Sequence, residues 1–122
     1  MINKSIFLTV VSPDFPAHIK VDRRINFLEN NDMVKLYSNS DIFINPSLYE
    51  NVSTVLLEAM SAGTIILTKQ IGYLPSIIPY QDYQIYSSYE DIVTCLLKIC
   101  SSQENLLEKI RKHNRKFVIN QF

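Results

Sequence analysis

Apolar positions change period repeatedly along this chain, and each change predicts an element. Ile6-Phe7-Leu8-Thr9-Val10-Val11 is a short β-branched and aromatic run cut off by Pro13-Asp14-Phe15-Pro16, which predicts a buried strand. Residues 24–28 predict a second, edge-like strand closed by Glu29-Asn30-Asn31-Asp32. Asp32 is placed to cap a helix over 33–39, where Met33, Leu36 and Tyr37 recur at helical spacing. Residues 41–45 predict a third strand, ended by Pro46-Ser47. A polar loop over 48–52 leads into a helix over 53–62, and Gly63 follows where a helix end calls for positive φ. Residues 64–68 are the most strand-like run, 84–86 a weaker one, and 90–101 and 105–120 predict two closing helices.

Strands that alternate with helices, and that read as continuous apolar runs, predict a parallel sheet. The expected fold is a single Rossmann-like α/β domain with helices on both faces of that sheet. Such sheets bind ligands beyond the carboxyl ends of their strands, which directs attention to residues 46–52. Two carboxylates stand out there. Projected as a helix, residues 53–62 carry Val55, Leu56, Leu57, Ala59, Met60 and Ala62 around most of the circumference, leaving Glu58 and Ser61 a narrow polar arc. That helix is expected to be largely buried, with Glu58 emerging into a crevice where its charge needs donors. Those donors are either structural, such as Lys69 or a backbone amide, or the hydroxyls of a bound ligand. Glu50 precedes the amides of Val52, Ser53 and Thr54. It is either a helix-end carboxylate that stabilises the dipole or part of a site for anions and hydroxyls.

Composition narrows the classes. The 122 residues are 47% apolar and 20% charged, with a formal net charge of +0, so no global field steers the chain to nucleic acid. The N-terminal apolar run is too short for a signal peptide, and no stretch approaches the 18 or so apolar residues of a membrane span. Cys95 and Cys100 lie five apart on one predicted helix, roughly 140° around it, which suits neither a disulfide nor a metal. They are expected to be reduced, half-buried residues of a cytoplasmic protein. His18 and His113 are isolated in sequence and expected at the surface.

Residues 46–63 read Pro-Ser-Leu-Tyr-Glu-Asn-Val-Ser-Thr-Val-Leu-Leu-Glu-Ala-Met-Ser-Ala-Gly. Two glutamates separated by seven residues, the second followed by Ala-Met and a Gly, resemble the signature of retaining GT-B glycosyltransferases of the glycogen-synthase-like kind (family 4, group 1). Pro46-Ser47 upstream and Ile71-Gly72-Tyr73-Leu74-Pro75-Ser76-Ile77-Ile78 downstream follow in the family's order. Ile25-Asn26-Phe27-Leu28, Leu36-Tyr37-Ser38 and Ser40-Asp41-Ile42-Phe43-Ile44 extend the likeness to about residues 24–100.

The resemblance implies the C-terminal, donor-binding half of a GT-B fold. Such a domain helps transfer a sugar from a nucleotide diphospho-sugar to an acceptor hydroxyl with retention, using neither metal nor cofactor. It implies that Glu58 accepts hydrogen bonds from the nucleotide ribose. Glu50 becomes the catalytic carboxylate beside the donor sugar, with Asn51, Val52, Ser53 and Thr54 completing the sugar and diphosphate contacts.

The match departs from the family in three places. Asn51-Val52-Ser53 stands where many relatives have Gly-Phe-Gly, and Thr64-Ile65 where they place a Pro. The family's diphosphate-neutralising Arg and Lys, and its acceptor-binding N-terminal domain, would lie upstream of this sequence. Activity is therefore expected to need that domain, from another chain or in a longer one. Tyr49, Val52, Tyr73 and Leu74 are expected to form the face through which such a partner, or a second copy, associates. A catalytically inactive nucleotide-sugar-binding or scaffold domain is the competing expectation, and an interaction domain without a nucleotide site a third. The last helix carries Lys109, Arg111, Lys112, His113, Arg115 and Lys116. These are either a solvated face or a contact, over residues 109–116, with anionic lipid at the inner face of a membrane or with an acidic partner domain.

Overall fold

The computed structural model describes residues 6–45, 54–69 and 78–121. The chain forms two compact units, Met1–Met33 and Val34–Phe122. In the first, β1 (Thr9–Val11) pairs in parallel with β2 (Arg23–Ile25). Both strands are shorter than the apolar runs predict. The segment between them is organised by polar side chains instead. Arg24 donates from its guanidinium to the carbonyls of Phe15 at 3.3 Å and Pro16 at 2.9 Å, and to that of Ile19, while lying 5.3 Å from the Phe15 ring centroid. Asp22 accepts the Leu8 amide at 2.7 Å.

Helix α1 spans Asn30–Ser38 and starts three residues earlier than the pattern predicts, so Asp32 lies in its first turn rather than capping it. There its charge still complements the helix dipole. The last turn is closed by side chains: Ser38 Oγ, Asn39 Nδ2 and Ser40 Oγ donate to the carbonyls of Val34, Lys35 and Leu36 at 2.9, 2.9 and 2.6 Å. Helix carbonyls left without amide partners are satisfied in this way.

The second unit holds a parallel sheet of β3 (Ile42–Asn45), β4 (Ile65–Lys69) and β5 (Ile85–Tyr86), in that order. The register pairs Ile42 with Ile65 through Asn45 with Thr68, and Thr68 and Lys69 with Ile85 and Tyr86. Helix α2 (Thr54–Ser61) follows β3, α3 (Gln81–Gln84) precedes β5, and α4 (Tyr89–Cys100) and α5 (Glu104–Gln121) close the unit. The α/β class and the parallel pairing agree with the sequence pattern.

Strand alternation sends Ile42, Ile44, Ile65, Leu67 and Tyr86 to one face. They pack there with Ile92, Leu96 and Ile99 of α4 and Leu106, Leu107 and Ile110 of α5. Each fully buried aliphatic side chain of that layer contributes about 1.5–3 kcal/mol. On the other face the Phe43 ring meets Tyr37 of α1 edge-on at 5.6 Å. Helices therefore cover both faces. Cys95 and Cys100 are half-buried, and burial pushes the Cys95 thiol up.

Helix α2 ends in a Schellman motif. The Thr64 amide donates to the Ala59 carbonyl at 3.1 Å, the Gly63 amide to Met60 at 3.0 Å, and Gly63 holds φ at 80°. The predicted glycine cap is thus present. Residue 84, predicted in a strand, instead ends the four-residue helix α3. Tyr80 opens that helix in the left-handed region, φ 51° and ψ 51°, a strained choice for a bulky residue. Its ring stacks on His113 at 5.2 Å and its hydroxyl lies 2.9 Å from His113 Nδ1. His18 and His113 are both exposed, as expected.

Candidate functional site

The three strands end together. Asn45, last in β3, is buried and donates from Nδ2 to Thr68 Oγ1 at 3.3 Å, across the register pair that joins β3 to β4. Tyr86, last in β5, donates its hydroxyl to the Asn45 carbonyl at 3.0 Å. Burial, and then the neighbouring Tyr89 phenol, push the Tyr86 pKa up, which keeps this donor protonated. Lys69, last in β4, places its ammonium 5.0 Å from the Tyr89 ring centroid, and the Tyr89 ring lies 6.3 Å from that of Tyr86. The carboxyl edge is therefore a tied polar and aromatic rim. Of these residues only Lys69 is singled out from the sequence, as a structural partner for Glu58. Asn45, Thr68 and Tyr86 share one signal: each terminates a predicted strand.

Helix α2 begins at Thr54, and residues 46–53 link it to β3. Glu50, Asn51, Val52 and Ser53 lie outside the described residues, as do Tyr49, Tyr73 and Leu74. Of the α2 residues singled out from the sequence, Thr54 and Glu58 are described, and both are exposed. The helix is not buried all round. Leu56, Ala59 and Met60 form its buried face, whereas Thr54, Val55, Glu58 and Ser61 share an exposed one, with Val55 41% exposed. Packing on β4 and α5 accounts for the buried face, and the opposite side is exposed. Glu58 therefore stands on an exposed helix face. Among the described residues it forms no ion pair, and Lys69, the structural partner that the sequence suggests for it, is seated over Tyr89 instead. The Glu58 charge is still felt locally. Burial first, and then Glu58, push the Tyr37 phenol above its ordinary pKa.

On α5, Arg111 is committed to Glu104 and Glu108 at 2.6 and 3.3 Å. Lys109, Lys112, Arg115 and Lys116 are exposed. Among the described residues no group of three or more His, Cys, Asp or Glu side chains is placed to hold a metal ion, and no helix is long and apolar enough to cross a membrane.

Residues 20–117 match the family described as glycosyl transferases group 1. The chain belongs to this family. The matched span takes in β3, β4 and β5, α2 with Glu58, and most of α5. An uncharacterized glycosyltransferase of Methanocaldococcus jannaschii is 37% identical over 57 residues, which is 47% of this chain and 15% of that protein. The sulfoquinovosyl transferase of Arabidopsis thaliana is 36% identical over 52 residues, 43% of this chain and 10% of its own length. A serotype-specific mannosyltransferase of Escherichia coli is 38% identical over 56 residues, 46% of this chain and 7% of that protein. The group 1 chain thus corresponds to a small part of each of these curated relatives. Glycosyl transfer is the chemistry that the family's description names.

Proposed function

We propose that this chain is the donor-binding part of a retaining GT-B glycosyltransferase, acting with an acceptor-binding domain supplied in the same or another polypeptide. In the overall reaction the anomeric carbon–oxygen bond to the nucleoside diphosphate breaks. The acceptor oxygen takes the carbon, and the acceptor proton leaves with the diphosphate. Glu58 accepts hydrogen bonds from the ribose hydroxyls. Glu50 lies against the donor sugar, with Asn51, Val52, Ser53 and Thr54 completing its contacts, and the chemistry requires no metal. A catalytically inactive donor-binding domain is the competing function, separated from this one by turnover once an acceptor domain is supplied.

The observation that carries the proposal is Glu58 itself. It is an exposed carboxylate without an ion-pair partner among the described residues, on the exposed face of the helix that follows β3. A carboxylate accepts from two hydroxyls at once through charge-assisted bonds that a carboxamide cannot match. Calorimetry of the chain with ribonucleoside diphosphates and their 2′,3′-dideoxy counterparts tests this. The wild type should bind the ribose form at around millimolar Kd and prefer it over the dideoxy form. Glu58→Gln should erase the preference. Equal preference in both proteins would remove Glu58 from the ribose site.

A further inference from the structure

The residues that end the three strands of the second unit are Asn45, Lys69 and Tyr86. Lys69 is the one cation among them. The last β3–β4 pair is Asn45 with Thr68, so Lys69 stands one residue past it, at the outermost level of the carboxyl edge. Its side chain is half-buried, and among the described residues it forms no ion pair. It rests instead on the Tyr89 ring at 5.0 Å. An aromatic face attracts an ammonium and orients it, yet leaves its charge uncancelled. The support beneath is itself fixed, because Tyr89 leans on Tyr86 and Tyr86 is hydrogen-bonded to the Asn45 carbonyl at 3.0 Å. Two other cations of this unit are engaged elsewhere: Lys98 donates to the Asp82 carbonyl at 3.1 Å, and Arg111 is paired with Glu104 and Glu108. A half-buried, oriented and uncompensated ammonium at the ligand-binding edge of a parallel sheet favours an anion there.

We infer that Lys69, held on the Tyr89 ring, meets the diphosphate of the bound nucleotide donor. This rests on the donor-binding function proposed above. It assigns phosphate neutralisation to a strand-end lysine of this chain. Lys69 positions and neutralises; it is not assigned a bond-making step.

The test is calorimetry on the full chain with uridine, guanosine and adenosine diphosphates, each against its free nucleoside, and with inorganic pyrophosphate. The wild type should bind one diphosphate more tightly than its nucleoside. Lys69→Gln should lower the diphosphate and pyrophosphate affinities roughly tenfold and leave the nucleoside affinity unchanged. Lys69→Arg should keep the diphosphate affinity, which guards against a folding artefact. Tyr89→Leu, which removes the support and keeps the charge, should cost less than Lys69→Gln. If Lys69→Gln binds the diphosphate like wild type while Glu58→Gln does not, the role of Lys69 is overturned and the donor site stands. If the wild type binds none of the three diphosphates, both are overturned.

Discussion

Gln84 and Asn114 exchange hydrogen bonds in both directions across 30 residues of sequence: Gln84 Nε2 donates to Asn114 Oδ1 at 3.0 Å, and Asn114 Nδ2 donates to Gln84 Oε1 at 2.8 Å. Both side chains are fully buried. The pair reaches outward to the backbone. Gln84 accepts the Ile66 amide at 3.0 Å and donates to the Pro79 carbonyl at 2.8 Å, while Asn114 donates to the Thr64 carbonyl at 3.0 Å. Strand β4, helix α3 and helix α5 meet at these two amides.

Asn114→Ala should therefore destabilise the chain by about 2–4 kcal/mol, because it leaves several buried groups without partners as well as a small cavity. Gln84→Ala should cost a similar amount, and the double variant clearly less than the sum. Urea unfolding of the three variants measures this. A loss below about 0.5 kcal/mol for Asn114→Ala would show the network to be energetically idle.

The amide pair also marks where sequence legibility ends. Helix α2, its Gly63 cap and β4 are readable because apolar spacing and a single glycine define them locally. Gln84 carries no such mark. A lone Gln beside Ile85-Tyr86 looks like the start of a strand, and Asn114 looks like one more polar residue on a basic helix. Only their meeting across the fold makes both core residues. The exposure of α2 departs from expectation for a related reason. Helical projection shows how apolar α2 is, but not that Val55 is left exposed, and packing on β4 and α5 decides that. The Lys69–Tyr89–Tyr86 rim is equally unreadable, since it depends on strand register.

Gly63→Ala should cost about 1–2 kcal/mol from the left-handed backbone alone, since φ is 80° there. It should cost more in practice, because a β-carbon at this position would meet the Arg115 guanidinium. In an Arg115→Ala background the penalty should fall back to the backbone component. Thermal unfolding of the double-mutant cycle separates the two, and equal penalties in both backgrounds would mean that Arg115 simply moves aside.

Alkaline pH should unfold the chain through its buried phenols. Burial holds both Tyr37 and Tyr86 above their ordinary pKa, with Glu58 adding to the first and Tyr89 to the second. Above about pH 10 the unfolded chain releases these protons before the folded one does. Stability is then fully present below the unfolded pKa and is lost as pH rises through the folded values. Ultraviolet titration should show tyrosines ionising late and together with unfolding. Tyr37→Phe should flatten that limb, and an unchanged profile would exclude Tyr37 as its source.

The α5 lysines give a test of membrane contact. Lys109, Lys112 and Lys116 recur along one exposed stripe. If the stripe engages lipid headgroups, vesicles rich in anionic lipid should retain the chain at low salt and release it at high salt. Each lysine should contribute roughly 1 kcal/mol. Lys112→Glu with Lys116→Glu should abolish sedimentation with the vesicles. Equal retention by neutral vesicles would leave the stripe a solvated face.

The Asn114 bond to the Thr64 carbonyl spans 50 residues, so it can form only after a long loop has closed. The bond is expected to form late on the folding route, past the barrier rather than on it. Weakening this latch should therefore hasten unfolding while leaving the refolding rate nearly untouched. What Gln84 and Asn114 provide is then chiefly persistence: they set how long α5, once docked against β4, remains there.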